Sequence, residues 1–544
     1  MNFFDVTNIH LYIAILLSVV NAFLMWYVGY KFFQVLQLSN YKTKAYLNWV
    51  KDTKGKYVSR VFMLSILTFS LMMVTNVILD ATNVDSYWAY FGLIFYFYLV
   101  IFFIVNVYNS PKKTPLKITN RMNRLKFLFI ILCSIISFVI IWLFTQYCAP
   151  VSYASVALVP MLLPSLVIFV NWILTPFEKC NSKRYIMQAK RKLKKYPELI
   201  KIGITGSYGK TSTKFILETI LSEKFSVCAS PMSYNTTMGI TKSIIQYLDF
   251  SHQVLIAEMG ARFPKDIEEL CELVNPQFGI ITGVGEQHLQ TFGSLEKVKQ
   301  TKYELVENLG SDGVIVFNGQ NDVCREFYSK TNNVKKIICG FDKKFDVFAD
   351  EIRVTQNGTS FNLNIDGKCI ECRTVLLGKH NIENILCASA LAYNLGLSVE
   401  QIKSGILKIQ PIEHRLQLIR LENGSVILDD SYNGSIEGAS SALEVLKMFE
   451  GTKIVVTPGI VELGSREKQE NIVFGEEIAE VADKVILVNL SNVEPLKEGL
   501  KNKNFDDSLI FQADSLENAK ELLKRIAVEK SAILFYNDLP DNYL

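Results

Sequence analysis

The sequence predicts an N-terminal all-α transmembrane bundle followed by two α/β domains, a central one with a phosphate-binding loop and a Rossmann-like one at the C-terminus. Three observations carry this reading. Apolar residues crowd the chain before about residue 175, a glycine-rich loop occupies residues 204–214, and from Ile200 onward short β-branched runs alternate with helical pattern. The 544 residues are 49% hydrophobic, with a mean hydropathy of +0.21 that is high for a wholly soluble enzyme. A formal net charge of +4 is too small to indicate a nucleic-acid partner, and the basic residues cluster beside the apolar stretches instead.

Five stretches approach the roughly 20 helical residues that a bilayer crossing takes: Leu11–Tyr30, Val61–Leu79, Trp88–Val107, Phe127–Gln146 and Ser155–Leu174. The first has neither a basic leader nor a small-residue cleavage site, so it reads as a retained anchor. Lys42, Lys44, Lys51, Lys54, Lys56 and Arg60 follow span one, and Lys112, Lys113, Lys117, Arg121, Arg124 and Lys126 follow span three. A dense run from Lys179 to Lys195 follows span five, while the intervening loops carry Asp80 and Asp85 or no charge. Because Lys and Arg mark the cytoplasmic side, the expectation is a multi-pass cell-membrane protein with its N-terminus outside and everything after span five in the cytoplasm. The basic run is either the flank of that last span or an amphipathic helix on anionic headgroups.

The expected organisation is a transmembrane region over 1–178, a basic linker helix over 179–199, a central domain over 200–411 and a C-terminal domain over 412–544. Strands are expected at Ile200–Ile204, Val254–Ala257, Phe278–Ile281, Val314–Phe317 and Lys335–Cys339, then in an antiparallel stretch over 350–377 with turns at Gly358 and Gly367. A second series runs Ser425–Asp429, Lys453–Thr457, Lys484–Val488, Ser508–Gln512 and Ala532–Phe535. The ten cysteines lack a disulfide framework, and Cys369 and Cys372 form one C-x-x-C, half of a four-thiolate zinc site.

The glycine-rich loop follows a strand and opens a helix, the context a phosphate loop requires. Gly206 and Gly209 let backbone N–H groups turn toward phosphate oxygens, with Ser207 and Ser212 in the same loop. Lys210 can neutralise the β/γ-phosphates of ATP, and the Thr211 hydroxyl can ligate Mg²⁺.

This T-G-x-x-G-K-T-S form, with Ile204 where the general pattern has glycine, resembles that of the Mur ligase superfamily, the ATP-dependent amide ligases of peptidoglycan synthesis. The resemblance extends over 200–544 and is greatest to the type that adds D-Ala-D-Ala to a UDP-linked tripeptide. It rests on Ser233–Gly239, Ala257-Glu-Met-Gly260, Thr282–Ser294, Thr301-Lys-Tyr-Glu304, Gly378–Asn384, His414-Arg415, Asp429–Asn433 and Gly459–Gly464. It implies that Asn235 faces the phosphates and that Glu258 and His288 ligate Mg²⁺, of which there would be two. Lys302 would be carbamoylated and would also bind metal. His380 and Asn381 would stand near the adenine with Asn384, Arg415 would reach the phosphates, Asp430 would hold the ribose, and Asn433 would contact substrate.

Three departures stand out. Gly283 replaces a common asparagine, Gly434-Ser-Ile replaces Ala-Asn-Pro, and five spans occupy the place of the UDP-sugar-binding domain of soluble members. The implied function is a membrane-anchored ligase that joins an amino acid or dipeptide to a peptide or lipid-linked cell-envelope precursor through an acyl phosphate. A membrane-bound polyglutamate-like synthase and a non-catalytic ATP-binding scaffold are the alternatives.

Overall fold

The computed structural model describes residues 3–52, 56–81, 89–109, 115–144, 154–231, 234–285, 292–432, 434–461, 463, 466–488 and 492–537. Two compact units divide after Asn181.

The N-terminal unit is helical, with helices Phe3–Val28, Tyr30–Leu38, Thr43–Asp52, Lys56–Ala81, Ala89–Asn109 and Asn120–Phe144 and the part of helix Val159–Leu193 up to Asn181, the rest of which belongs to the second unit. Among the described residues four segments are long and apolar enough to cross a membrane: Leu11–Val28, Tyr57–Val74, Asn120–Phe144 and Ser155–Leu193. The expected third span falls on helix Ala89–Asn109, whose described apolar part, Leu93–Val107, is shorter than a full crossing. Leu16, Phe127 and Trp172 are each about two-thirds exposed, so the outward faces are as apolar as the inner ones. Polar groups turn inward. Tyr96 donates to Asn21 Oδ1 (2.7 Å), Asn21 donates to Ser137 Oγ (3.1 Å), and Arg124 grips Glu178 through two hydrogen bonds.

The expected fifth span and much of the basic run form one helix, Val159–Leu193, which tolerates Pro164 and Pro176 in its interior. At its end Ala189 and Leu193 bury in the core of the second unit, beside the partly buried Ile186. That i, i+3, i+7 stripe is used by protein, and the outward face carries Lys183, Arg184, Arg191 and Lys194.

The second unit holds two sheets. The first contains β1 Ile200–Thr205, β2 Val227–Ala229, β3 Val254–Glu258, β4 Phe278–Ile281, β5 Val314–Asn318, β6 Lys335–Gly340, β7 Val347–Thr355, β8 Gly358–Ile365 and β9 Lys368–Thr374. Their order is β2-β3-β1-β4-β5-β6-β7-β8-β9, parallel through β7 and antiparallel beyond it. Every residue of β3 and β5 is buried, as in a parallel sheet covered on both faces. The second sheet contains β10 Gln417–Arg420, β11 Val426–Asp430, β12 Lys453–Thr457, β13 Lys484–Val488, β14 Ile510–Ala513 and β15 Ala532–Tyr536, in the order β10-β11-β15-β12-β13-β14. All are parallel except β10.

The sequence reading missed β2, only three residues long, and β10, whose ends are polar. β14 starts two residues later than expected because Asp507–Leu509 makes a 3₁₀ turn capped by Asp506. Cys369 is exposed and Cys372 is buried, and their odd spacing on β9 sends them to opposite faces of the strand.

Candidate active site

The site forms where ligands bind in open α/β sheets, beyond the carboxyl ends of the strands. From β1 the chain turns through Gly206 (φ 155°) and Gly209 (φ 79°) into helix Lys210–Leu221. Glycine is required at both. A Cβ on Gly206 would lie 2.2 Å from Thr282 Oγ1, and one on Gly209 would lie 2.7 Å from Asn384 Oδ1. Ser207 N donates to Gly283 O (2.7 Å), and the Ser207 hydroxyl lies 3.0 Å from Gly285 O, so the loop is braced by the segment after β4. Lys210 folds back on its own loop, donating to Gly206 O (2.7 Å) and Ser207 O (2.8 Å). Burial, reinforced by the Arg415 charge and opposed by Glu258, lowers its pKa to about 8.

Glu258 ends β3 and is 1% exposed. Its Oε1 accepts from Thr211 Oγ1 (3.0 Å) and Asn235 Nδ2 (3.1 Å), and its Oε2 pairs with Lys214 Nζ at 3.3 Å. Hydroxyl, amide and carboxylate are hard oxygen donors suited to Mg²⁺, so this corner fits that ion. Lys302, on helix Leu295–Glu307, is 3% exposed, and no hydrogen bond or ion pair reaches its ammonium among the described residues. Burial, followed by the Lys210 charge, holds its pKa well below the usual lysine range. His288 and Asn433 lie outside the described residues.

Helix Lys379–Asn394 supplies the next wall. Asn384 Oδ1 accepts from Thr213 Oγ1 (3.0 Å), tying this helix to the phosphate-loop helix, and Asn381 caps back onto Leu377 O (2.8 Å). His380 Nδ1 is buried without a partner among the described residues, and burial lowers its ring pKa to about 4. Glu383 accepts from Asn318 Nδ2 (2.8 Å), and burial raises its carboxyl pKa to about 7.

The C-terminal sheet closes the cleft. Arg415 sits between His414 (φ 59°) and Leu416 (φ 49°), two non-glycine residues in left-handed backbone. Such geometry costs on the order of 1 kcal/mol or more per residue and clusters at functional sites. Arg415 donates to Tyr432 O (2.9 Å) and lies over the Tyr432 ring. Asp430 accepts from Leu416 N (3.1 Å), and burial raises its pKa to about 6. A cleft of about 240 Å³ is lined by Gly209, Ser212, His380, Asn381, Asn384, Arg415 and Asp430 among others.

Residues 204–392 match the Mur ligase middle domain, and residues 414–536 match the Mur ligase glutamate ligase domain. The chain belongs to the Mur ligase family. It is 30% identical over 277 residues to the UDP-N-acetylmuramoyl-tripeptide–D-alanyl-D-alanine ligase of Buchnera aphidicola, covering 51% of this chain and 60% of that one. It is 28% identical over 278 residues to the Escherichia coli enzyme of the same name, covering 51% and 61%. The crystal structure of MurF from Acinetobacter baumannii superposes with a TM-score of 0.60 at 25% identity, covering 66% of this chain and 78% of that one. The chain thus spans about three-fifths of the length of these two curated relatives.

The structure accounts for two departures of this Mur ligase from the family pattern. A Cβ on Gly283 would lie 2.6 Å from Tyr208 Cε2, so the Tyr208 ring fills the space that an asparagine at 283 would need. Asn321 fixes that ring by donating to its hydroxyl (2.9 Å). In the Gly434-Ser-Ile stretch, Ser435 caps helix Ile436–Lys447 by accepting from Gly438 N (3.0 Å), so a helix-capping residue still stands where the family has asparagine. Gly434 is needed because a Cβ there would lie 2.9 Å from Asn537 Cβ.

Sequence reasoning missed Lys214, Tyr208, Asn318, Asn321 and Glu383. The available signal for Asn318 was its position ending β5, on the same sheet edge as Glu258. Lys214 lies one turn beyond Lys210, a spacing that places both on one helix face. Nothing in the sequence marked Glu383.

Gly283→Asn should destabilise the protein by about 1–3 kcal/mol through overpacking. Tyr208→Ser in the same chain should recover most of that loss, and a double-mutant cycle on thermal unfolding measures the coupling.

His380 and Glu383 give opposite pH dependences. The unfolded histidine takes a proton near 6.5 and the folded one only near 4, so its contribution is lost as pH falls through that window. The folded Glu383 keeps a proton up to about 7 that the unfolded chain releases near 4.5, so its contribution is lost as pH rises. Relative to wild type, His380→Asn should gain stability toward acid and Glu383→Gln toward neutral pH, each by at most about 1.4 kcal/mol per pH unit. Unfolding midpoints across pH 4–7.5 give both difference curves, and parallel curves would contradict the assignment.

Proposed function

We propose that this protein is a membrane-anchored, ATP-dependent ligase that forms an amide bond on a cell-envelope precursor. The observation that carries this is the clustering of Lys210, Thr211, Asn235, Glu258 and Lys302 around the ends of β1 and β3, with Arg415 reaching the same cleft from the C-terminal sheet. A substrate carboxylate attacks the γ-phosphorus of ATP, giving an acyl phosphate and ADP. An amine then attacks the acyl carbon, and phosphate leaves. Lys210 exchanges its two loop carbonyls for β/γ-phosphate oxygens, and Arg415 adds a second positive charge. Thr211 and Glu258 would hold one Mg²⁺, and Lys302 with His288 a second; the ions supply charge neutralisation at the transferring group. Closure of the C-terminal domain excludes water that would hydrolyse the acyl phosphate.

Burial that lowers the Lys302 pKa favours the uncharged amine, the form that adds CO₂. The resulting carbamate turns a cation that repels metal into an oxygen ligand. With ¹³C-bicarbonate, the protein should show a carbamate carbon resonance that Lys302→Arg abolishes, and an unchanged spectrum would remove Lys302 from this role.

The names of the relatives point to a muramoyl peptide as the carboxylate substrate and D-alanyl-D-alanine as the amine. The apolar helices favour a membrane-held, lipid-linked form of the first. ADP release by detergent-solubilised protein with Mg²⁺ decides this, comparing lipid-linked with UDP-linked muramoyl peptides across candidate amines. Turnover confined to the lipid-linked substrate is expected. Equal turnover on the UDP form would reduce the helices to an anchor, and a ladder of product masses would indicate a polymer synthase.

A further inference from the structure

We propose that Glu383, together with Asn318, selects the nucleotide base, forming a pair of hydrogen-bond acceptors that takes the exocyclic amino group of adenine and rejects the carbonyl of guanine. The proposal rests on the ligase reading only in that the cleft holds a nucleoside triphosphate.

The phosphate end of the cleft is fixed by the loop after β1. β5 lies two strands away across β4. At about 4.8 Å per strand, its carboxyl end stands roughly 10 Å from the loop, within reach of the base of a nucleotide whose phosphates sit there. Asn318 ends β5, and with Gln320, His380 and Glu383 it lines that part of the cleft.

Counting hydrogen bonds fixes what the two groups offer. The Asn318 amide spends both hydrogens, donating to Thr282 O (2.9 Å) and to Glu383 Oε2 (2.8 Å). Its Oδ1 accepts from Gln320 N (3.0 Å), which leaves one lone pair unspent. An inverted amide would aim its oxygen at two acceptors, so the orientation is locked. Glu383 uses only Oε2, and no partner reaches Oε1 among the described residues. Burial that pushes this carboxyl up to about 7 makes its ionised form dependent on further donors. An amino group carries two N–H donors, one for each acceptor. Guanine presents a carbonyl oxygen at the equivalent position, facing two acceptors. A site that leaves polar groups unpaired against the wrong ligand discriminates strongly.

Detergent-solubilised full-length protein tests this by displacement of a fluorescent ATP analogue with Mg-ATP or Mg-GTP, which needs no ligase substrate. Wild type should prefer ATP. Glu383→Met, close in volume, should weaken ATP about tenfold or more while leaving GTP unchanged or improved. Glu383→Gln, whose one amide oxygen is spent accepting from Asn318 and whose NH₂ then faces the base, should lose the preference for ATP and tolerate the guanine carbonyl. Asn318→Asp, which can donate to neither partner, should also lose the preference. Equal weakening of both nucleotides, or an unchanged ATP/GTP ratio in Glu383→Met, overturns the proposal and leaves the ligase reading intact. Failure of wild type to bind either nucleotide overturns both.

Discussion

The Glu258 carboxylate is the constraint on which the phosphate-binding region is built. At 1% exposure a carboxylate cannot remain ionised without compensation, because desolvation costs several kcal/mol. Lys214, fully buried, supplies the opposite charge, while Thr211 and Asn235 supply the hydrogen bonds. Three segments distant in sequence are thereby pinned to one point: the phosphate-loop helix, the end of β3 and the loop before helix Thr237–Gln246. The arrangement also divides labour between two lysines one turn apart. Lys214 balances the buried acid, which leaves Lys210 to rest on carbonyls of its own loop; on the proposed reading it exchanges them for phosphate oxygens.

A second tie links this point to the rest of the cleft. Asn384 accepts from Thr213 and sits against Gly209, so helix Lys379–Asn394 moves with the phosphate loop. The same helix carries His380 in its first turn and Glu383, so on the proposed reading it ties the base end of the cleft to the phosphate end. On the opposite wall the left-handed residues flanking Arg415 hold that side chain over Tyr432. Its charge already lowers the pKa of Lys210, so the two cations repel until an anion lies between them. A triphosphate removes that repulsion. The arrangement is thus electrostatically biased toward an anion between Lys210 and Arg415.

Residues whose role is set by local chain geometry were readable in the sequence. Gly206, Gly209, Lys210 and Thr211 belong to one turn, and strand periodicity placed β1, β3, β4 and β5 within a residue of where they lie. Groups that act through partners far along the chain were not readable. Lys214 acquires its function from Glu258, 44 residues on, and Glu383 from Asn318, 65 residues back. Tyr208 is an ordinary loop residue until the glycine at 283 is seen beneath its ring. β2 and β10 escaped because three or four residues carry too little periodic signal to outweigh their polar neighbours.

The departures from the family pattern show which parts of such a site are free to vary. At Gly283 an asparagine is lost, yet Tyr208 occupies the vacated volume and Asn321 anchors it by its hydroxyl. At Gly434-Ser-Ile the capping hydrogen bond survives in Ser435, and Tyr536 and Asn537 receive the flanking backbone N–H groups. In both places this chain's own packing and hydrogen bonds accommodate the residue that departs from the pattern. The charged groups that would act on the phosphates, Lys210, Glu258, Lys302 and Arg415, show no such exchange. The reason is physical: a filled volume has many solutions, whereas a charge placed against a developing phosphoryl charge has few. Variation in this chain therefore concentrates where packing can absorb it and in the N-terminal helices, which on the proposed reading govern how substrate arrives and leave the bond-forming chemistry unchanged.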